Sequence, residues 1–194
     1  MKKLLLFAFL FFAGLSYAQD NQGLKDSETL TFYGVDFSKA KVYGANESLS
    51  EFKAAFGGIN NLFINEQKKY DVSKTFKKEV SLSLNSVKDL VDEIKNKEFV
   101  AESNDYSLSE DDVKTLLKKL DTGSDKGYGA VLFAGLLNKG KPEATYDVVI
   151  FDIASKKILI QKKITSKARG FGLRNFWAFS VHGTLKQVEK MKLY

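Results

Sequence analysis

The chain has 194 residues, with 30 Lys and Arg residues, 24 Asp and Glu residues, 44% hydrophobic residues and no Cys. This composition is typical of one globular domain and disfavours disorder over most of the chain. The lack of Cys excludes disulfides, thiol catalysis and Cys-ligated zinc or iron–sulfur sites, and the single His182 excludes metal sites that need two histidines from one chain. We predict no cofactor and no metal site.

The first 18 residues have the pattern of a cleaved secretory signal peptide. Lys2 and Lys3 precede an uncharged apolar run, and small residues stand at Ser16 and Ala18. The run is shorter than the roughly 20 residues that cross a bilayer. We expect cleavage near Ala18, a periplasmic or secreted mature protein without a transmembrane segment, a flexible leader over 19–28, and a single α/β domain over 29–194.

The basic excess shrinks once this peptide is removed. Loss of Lys2 and Lys3 leaves 28 basic and 24 acidic residues, so the net charge falls from +6 to +4. Only two of the 28 basic residues are arginines, Arg169 and Arg174. Arg is the side chain best suited to bidentate contacts with phosphate or guanine, so its scarcity disfavours nucleic-acid binding. Nucleic acid is therefore not expected as a partner.

The first half of the domain alternates short strands with helices. Strand-forming residues fill 30–37, and 41–43 extend or pair with this strand. Ser48 and Glu51 form a capping box before an apolar helical stripe that reaches about Lys69 and contains the pair Gly57-Gly58, which indicates a bend or a close contact. We further expect a short strand within 70–83, a turn or edge over 74–78, a helix over 87–94, a strand at 99–101 and a helix over 107–120.

The sequence of the second half of the domain indicates which strand lies at the centre of the sheet. A continuous apolar run over 130–137 is typical of a strand that is covered on both faces. Two further β-rich runs, 145–153 and 158–165, follow after short links, so three antiparallel strands are expected. A helical stripe from Leu173 to Met191 closes the chain. The predicted fold is α/β, a mixed sheet with a C-terminal three-strand antiparallel meander, packed with about four helices in layers.

The order of these elements resembles a bacterial envelope fold. An early strand ending in Val35-Asp36, a long helix, the buried run ending at Leu137, and a meander carrying 146–153 and 157–160 are similar to the periplasmic domain of the curli-secretion channel subunit and the amino-terminal domain of the Tol-system translocation protein. The chain differs in lacking a Cys for lipidation. The resemblance implies an envelope assembly or binding module and brings no catalytic residues with it.

The rarest residue types cluster between Arg169 and His182. One hypothesis is an anion or partner site, because glycine-rich backbone at a helix start exposes N–H groups and two guanidiniums flank it. The alternative is a tight strand-to-helix turn in which both arginines pair with carboxylates. Phe176 and Phe179 lie off the main apolar stripe of the helix that begins at Leu173. We expect these two rings to be buried either within the domain or by a binding partner. The residues of the candidate site are Arg169, Gly170, Gly172, Arg174, Phe176 and Phe179.

Other polar groups suggest chemistry less strongly. Asp147 and Asp152 are candidates for acid/base work, and with Tyr33 and Asp36 they could converge at strand ends. The acidic run 110–112 fits the positive end of a helix, and the loop 121–127 lacks the third-position acid of a calcium loop. His182 is interpreted as a packed or surface residue.

The leading functional hypothesis is an exported, non-enzymatic module for envelope binding or assembly, with an envelope protein or an anionic polymer as partner. Lysines on predicted edges and turns, such as Lys162 and Lys163, either prevent edge pairing or attach the protein to an anionic surface. The alternative hypothesis is a carboxylate-based hydrolase that acts on carbohydrate or another envelope polymer through Asp147 and Asp152.

Overall fold

The computed structural model describes residues 22–95 and 99–194, so the predicted signal peptide and the first part of the leader lie outside the described residues. These residues form an α/β structure with a mixed sheet. The strands are β1 (Thr29–Asp36), β2 (Lys41–Tyr43), β3 (Glu79–Leu82), β4 (Tyr128–Asn138), β5 (Glu143–Asp152) and β6 (Ile158–Lys167), and the helices discussed below are α1 (Leu49–Asn65), α2 (Val72–Phe76), α3 (Asn85–Asp92), α4 (Glu110–Lys119) and α5 (Leu173–Lys190).

The sheet has six strands in the order β3-β1-β4-β5-β6, with β2 also paired to β4. Strands β3, β1 and β4 are parallel, whereas β4, β5 and β6 form the predicted antiparallel meander. Strand β2 pairs with β4 over Leu136–Asn138, directly beyond the part of β4 that pairs with β1. The predicted fold class is therefore confirmed.

Strand β4 lies at the centre because both of its faces are apolar. Ala130 and Leu132 point into a large core formed with α1, α2 and α5, while Val131 and Phe133 point into a smaller core formed with α4. All of its residues after Tyr128 are buried. The result is a sheet covered by helices on both faces.

Strand β1 contains an irregularity that sets which face Asp36 occupies. Its register with β4 shifts between Phe32 and Val35, and Gly34 has a φ of 92°. Asn60, fully buried on α1, donates to the Val35 carbonyl and accepts from the Val35 N–H, each at 2.8 Å. These two bonds satisfy backbone groups of a distorted strand and tie α1 to the sheet.

The capping box predicted for α1 is present, whereas α4, expected from residue 107, begins at Glu110. Ser48 and Glu51 form the capping box of α1, and Ser109 and Asp112 form the capping box of α4. The acids of the first turn of α4 also lie at its positive end, and Lys118 and Lys119 lie at its negative end. Helix α5 differs, because it begins after Gly172 without a capping side chain.

Two parts of the chain differ from the sequence expectation. Residues 22–26, within the predicted leader, are helical, and Leu24 is only 1% exposed because it packs on the large core. Helix α2 occupies most of the segment expected as a turn or edge, with the Asp71 carboxylate accepting from the Lys74 N–H at 2.8 Å. At residues 99–101, Val100 makes an isolated parallel bridge with Val42.

Candidate functional site

A short loop between β6 and α5 presents an exposed aromatic ring. Gly170 and Gly172 have φ values of 128° and 78°, in the region that favours glycine, and between them the side chain of Phe171 is 95% exposed. A Cβ on Gly170 would lie 3.2 Å from the carbonyl oxygen of Asn175, so the loop turns tightly against the first turn of α5. We call Arg169, Gly170, Phe171, Gly172 and Arg174 the Arg–Phe tip.

Both arginines of the Arg–Phe tip are held by neutral groups. The guanidinium of Arg169 lies 4.1 Å from the centroid of the Phe179 ring, a cation–π contact. Arg174 donates from two guanidinium nitrogens to the Asn175 side-chain oxygen, at 3.1 and 2.9 Å. Within residues 22–95 and 99–194, neither arginine has a carboxylate within ion-pair distance. The alternative prediction, pairing of both arginines with carboxylates, is therefore not what the described part of the chain shows.

The pair Gly57-Gly58 in α1 allows the approach of α5. A Cβ on Gly58 would lie 2.8 Å from the Arg174 Cδ atom, whereas a Cβ on Gly57 would meet nothing within 4 Å. The sequence indicated a bend or a close contact here. The close contact involves the aliphatic stem of Arg174, and it fixes the base of the Arg–Phe tip on α1.

The aromatic residues of the predicted site, Phe176 and Phe179, are each partly buried at the boundary between the core and the surface. Phe176 is partly buried, packs against the large core and meets Trp177 edge-on at 4.9 Å between ring centroids. Phe179 is partly buried beneath the Arg169 guanidinium. His182 packs against the Tyr70 ring, and burial lowers its pKa, which favours the neutral imidazole. These rings therefore belong to the packing of α5, and Phe171 is the aromatic side chain of this segment that extends into solvent.

The carboxylates predicted for the alternative hydrolase lie on opposite faces of β5. Asp147 is 2% exposed on the α4 side, where its oxygens lie 2.9 Å from the Gln161 side-chain nitrogen and 3.8 Å from the Lys163 ammonium. Asp152 ends the strand and accepts two bonds from Ser155 in the following turn, at 2.8 and 2.6 Å. The two aspartates are five positions apart along the strand, a distance of about 17 Å, which is more than the separation of a glycosidase carboxylate pair.

Asp36 and Asp147 do occupy one row across the sheet. Phe133 on β4 is in register with Asp36 on β1 and with Asp147 on β5, and Lys163 on β6 completes the row. The two aspartates are separated by two strand spacings, which is about 10 Å, and Phe133 lies between them on β4. Tyr33 lies on the same face and donates to Asp125 at 2.9 Å.

Asp36 is the less satisfied of these two carboxyl groups. It is 1% exposed; one oxygen accepts from the Ser38 N–H at 2.7 Å, and the other has no hydrogen-bond partner among the described residues. Burial raises the pKa of Asp36 above its usual value. This arrangement seals the carboxyl group inside the protein and does not expose it to a substrate.

The remaining acidic candidates take part in local structure. Asp112 accepts from Ser109 in the capping box of α4, and Asp121 accepts from the Gly123 N–H in the loop before β4. The described residues contain no group of three or more His, Asp or Glu side chains arranged to hold a metal ion. Among the same residues, no helix has the length and apolar character needed to cross a membrane.

Charge is distributed unevenly along the chain, a feature that single motifs did not reveal. No Asp or Glu occurs from Ile153 to Val188, a stretch that contains β6, the Arg–Phe tip and most of α5. The same stretch carries Lys156, Lys157, Lys162, Lys163, Lys167, Arg169, Arg174 and Lys186. This pattern and the glycines on either side of Phe171 are sequence signals that point to this loop, but they do not show whether Phe171 is exposed or buried.

Comparison of the chain with protein-family models, with curated proteins and with solved structures finds no match.

Proposed function

We propose that this chain is an exported, non-enzymatic module that binds or assembles components of a bacterial cell envelope, and that the Arg–Phe tip is its contact surface. The envelope assignment rests on the predicted signal peptide and on the resemblance to the curli-secretion and Tol domains. The observation that carries the binding role is the 95% exposure of Phe171 beside two arginines that have no carboxylate partner among the described residues.

The residue types of the Arg–Phe tip are those that dominate binding surfaces. Aromatic residues and arginine are enriched where proteins make contacts and provide most of the binding energy there. Burying a Phe side chain gains about 1.5–3 kcal/mol relative to leaving it in water. The loop forgoes this gain in the free protein, because Gly170 and Gly172 direct Phe171 away from the core. A binding partner that covers the ring recovers it.

The alternative function, a carboxylate hydrolase, has no structural observation in its favour. Asp147 is buried against Gln161 and Lys163, and Asp152 caps a turn at the far end of the strand. Acid/base hydrolysis of a glycosidic bond needs two carboxyl groups about 5–10 Å apart around the substrate.

Site-specific photocrosslinking in the native host tests this proposal. Benzoylphenylalanine replaces Phe171 in one variant and Val100 in a control, because Val100 is also apolar and 65% exposed but lies on a different part of the surface. We expect ultraviolet light to produce adducts with envelope components from position 171 and not from position 100. Mass spectrometry identifies each adduct as protein, glycan or lipid, and also reads the N-terminus, which we expect at Gln19.

Two outcomes contradict the proposal. Equal adduct formation from positions 171 and 100 would mean that the Arg–Phe tip is not a specific contact surface. An uncleaved N-terminus with the protein confined to the cytoplasm would remove the envelope role.

A further inference from the structure

We infer that the Arg–Phe tip docks on an anionic lipid surface, with Phe171 entering the interfacial region of the bilayer and Arg169 and Arg174 contacting lipid phosphates. This inference rests on the proposed function and names the partner of the same site. Three features support it: the shape of the loop, the contacts of the two guanidiniums and the charge of the adjoining chain.

The shape of the Arg–Phe tip fits a lipid surface better than a protein pocket. Phe171 is 95% exposed, and its exposed neighbours in the loop are glycines and charged or polar side chains, not further apolar groups. A stable protein complex covers about 800 Å² on each partner, which one projecting ring does not provide. A bilayer interface accepts a single aromatic ring without a complementary cavity.

The guanidiniums are placed to bind phosphate groups beside that ring. Phe179 supports one face of the Arg169 guanidinium, and Gly58 of α1 supports the stem of Arg174. These contacts restrain both side chains. They are made with an aromatic ring and an amide oxygen, so no carboxylate among the described residues compensates the positive charge of either guanidinium. Planar guanidinium groups with free N–H donors make bidentate contacts with phosphate.

The charge of the adjoining chain complements an anionic surface. From Ile153 to Val188 no acidic residue is present to repel lipid phosphates, and Lys167 immediately precedes the loop and is exposed. Each basic residue near an anionic bilayer strengthens binding about fivefold. An interface formed by one ring and a few cations binds weakly and reversibly, since stable anchoring needs more apolar surface.

Vesicle flotation tests this inference on the protein purified in the form that host cells export, so that every variant carries the same N-terminus. The vesicles contain either phosphatidylcholine alone or a mixture of phosphatidylcholine with about one third phosphatidylglycerol, whose anionic headgroups give the surface a negative potential. We expect flotation with the anionic vesicles at low salt, a loss of flotation at high salt, and little with neutral vesicles.

Matched variants assign the binding to the Arg–Phe tip. Phe171→Ala should weaken partitioning about tenfold, and the double change Arg169→Gln with Arg174→Gln should weaken it more than tenfold and flatten the salt dependence. The control double change Lys118→Gln with Lys126→Gln removes the same charge at exposed positions of α4 and the following loop, and should alter partitioning less than about twofold. Val100→Ala is the control for loss of an exposed apolar side chain.

The results separate this inference from the proposed function. Absence of flotation, equal flotation of Phe171→Ala and wild type, or equal losses in the two charge variants would overturn lipid docking. If position 171 still yields protein or glycan adducts in the host, envelope binding stands with a different partner. Lipid adducts from position 171 support both proposals, and the lack of any adduct contradicts both.

Discussion

Asp36 and Asp147 lie in the same row of the sheet and are 1% and 2% exposed, but their oxygens have different partners. Asp147 is next to Gln161 and Lys163 of the edge strand, whereas Asp36 has one bonded oxygen and one without a partner among the described residues. Asp147 lies beside β6, whose side chains Gln161 and Lys163 are polar on the sheet face that α4 covers. Asp36 lies on β1, in the parallel part of the sheet, and is not next to β6. The comparison shows that position across the sheet, more than depth of burial, decides whether a charge is compensated.

The largest effect is expected from removing the cation beside Asp147. Lys163→Met should lower the free energy of unfolding by about 2 kcal/mol, because it leaves a buried carboxylate with less compensation; the exposed half of the Lys163 side chain keeps the loss below that of a fully buried pair. It also removes the bond from Lys163 to the Leu108 carbonyl at 2.9 Å. Urea unfolding at neutral pH measures the change.

Two companion variants sharpen that result. Asp147→Asn in the Lys163→Met background should recover part of the stability, since the buried charge is gone. Lys162→Met changes the neighbouring exposed lysine and should stay within about 0.5 kcal/mol of wild type. Equal losses at positions 162 and 163 would show that the charge of β6 as a whole matters, not the contact with Asp147.

Asp36→Asn should stabilise the protein at neutral and higher pH. Burial raises the pKa of Asp36 in the folded state, so its contribution to stability is full below the unfolded pKa, near 4, and is lost as the pH rises through the folded pKa. The variant lacks this titration, so its advantage over wild type should be smallest near pH 4 and reach about 1 kcal/mol or more by pH 8.

Denaturant unfolding at several pH values between 4 and 8 measures this difference. Asp111→Asn is the control for the loss of an exposed aspartate, because the Asp111 side chain is 92% exposed. A constant or decreasing advantage of Asp36→Asn with rising pH would show that the Asp36 carboxylate is compensated by groups other than those described above.

A smaller effect is expected at Tyr33, on the same face as Asp36. Tyr33→Phe removes the hydrogen bond to Asp125 and should cost about 1 kcal/mol. The loop 121–127 should then exchange its amide hydrogens faster, since this bond ties it to β1. Hydrogen exchange followed by mass spectrometry measures the change, and unchanged exchange would mean that other contacts hold the loop.

The smallest effect on stability is expected at the Arg–Phe tip. Phe171→Ala should change the free energy of unfolding by less than about 0.5 kcal/mol, because the ring is 95% exposed. Phe176→Ala, in the first turn of α5, should cost about 1–2 kcal/mol, because that ring packs on the core and on Trp177. Thermal unfolding compares the two, and a large loss in Phe171→Ala would give this ring a structural role.

The fold could be predicted where the signal is local. The apolar run of β4, the capping box of α1 and the short links of the meander each specify their own structure, and all appear as expected. Helix α2 was missed because its five residues are too few to show a helical period. The row joining Asp36 to Asp147 was not predictable, because it depends on strand order and on the register shift near Gly34.

The candidate site could be located but not described from the sequence. The rarity of Arg, Trp and His pointed to the segment from Arg169 to His182. The contacts of Arg169 with Phe179 and of Arg174 with Asn175 depend on the backbone path through Gly170 and Gly172, which only the folded structure gives. For the same reason, the exposure of Phe171 could not be separated in advance from the burial of Phe176.

The long stretch without acidic residues also affects how the protein meets other charged bodies. All 24 acidic residues lie outside Ile153–Val188, whereas eight basic residues lie within it, so this segment contributes a positive electric field. Such a field rotates a diffusing protein before contact and raises its encounter rate with a negatively charged target, most strongly at low ionic strength. Under the lipid-docking proposal, this steering would bring the Arg–Phe tip towards an anionic bilayer ahead of the acidic parts of the chain.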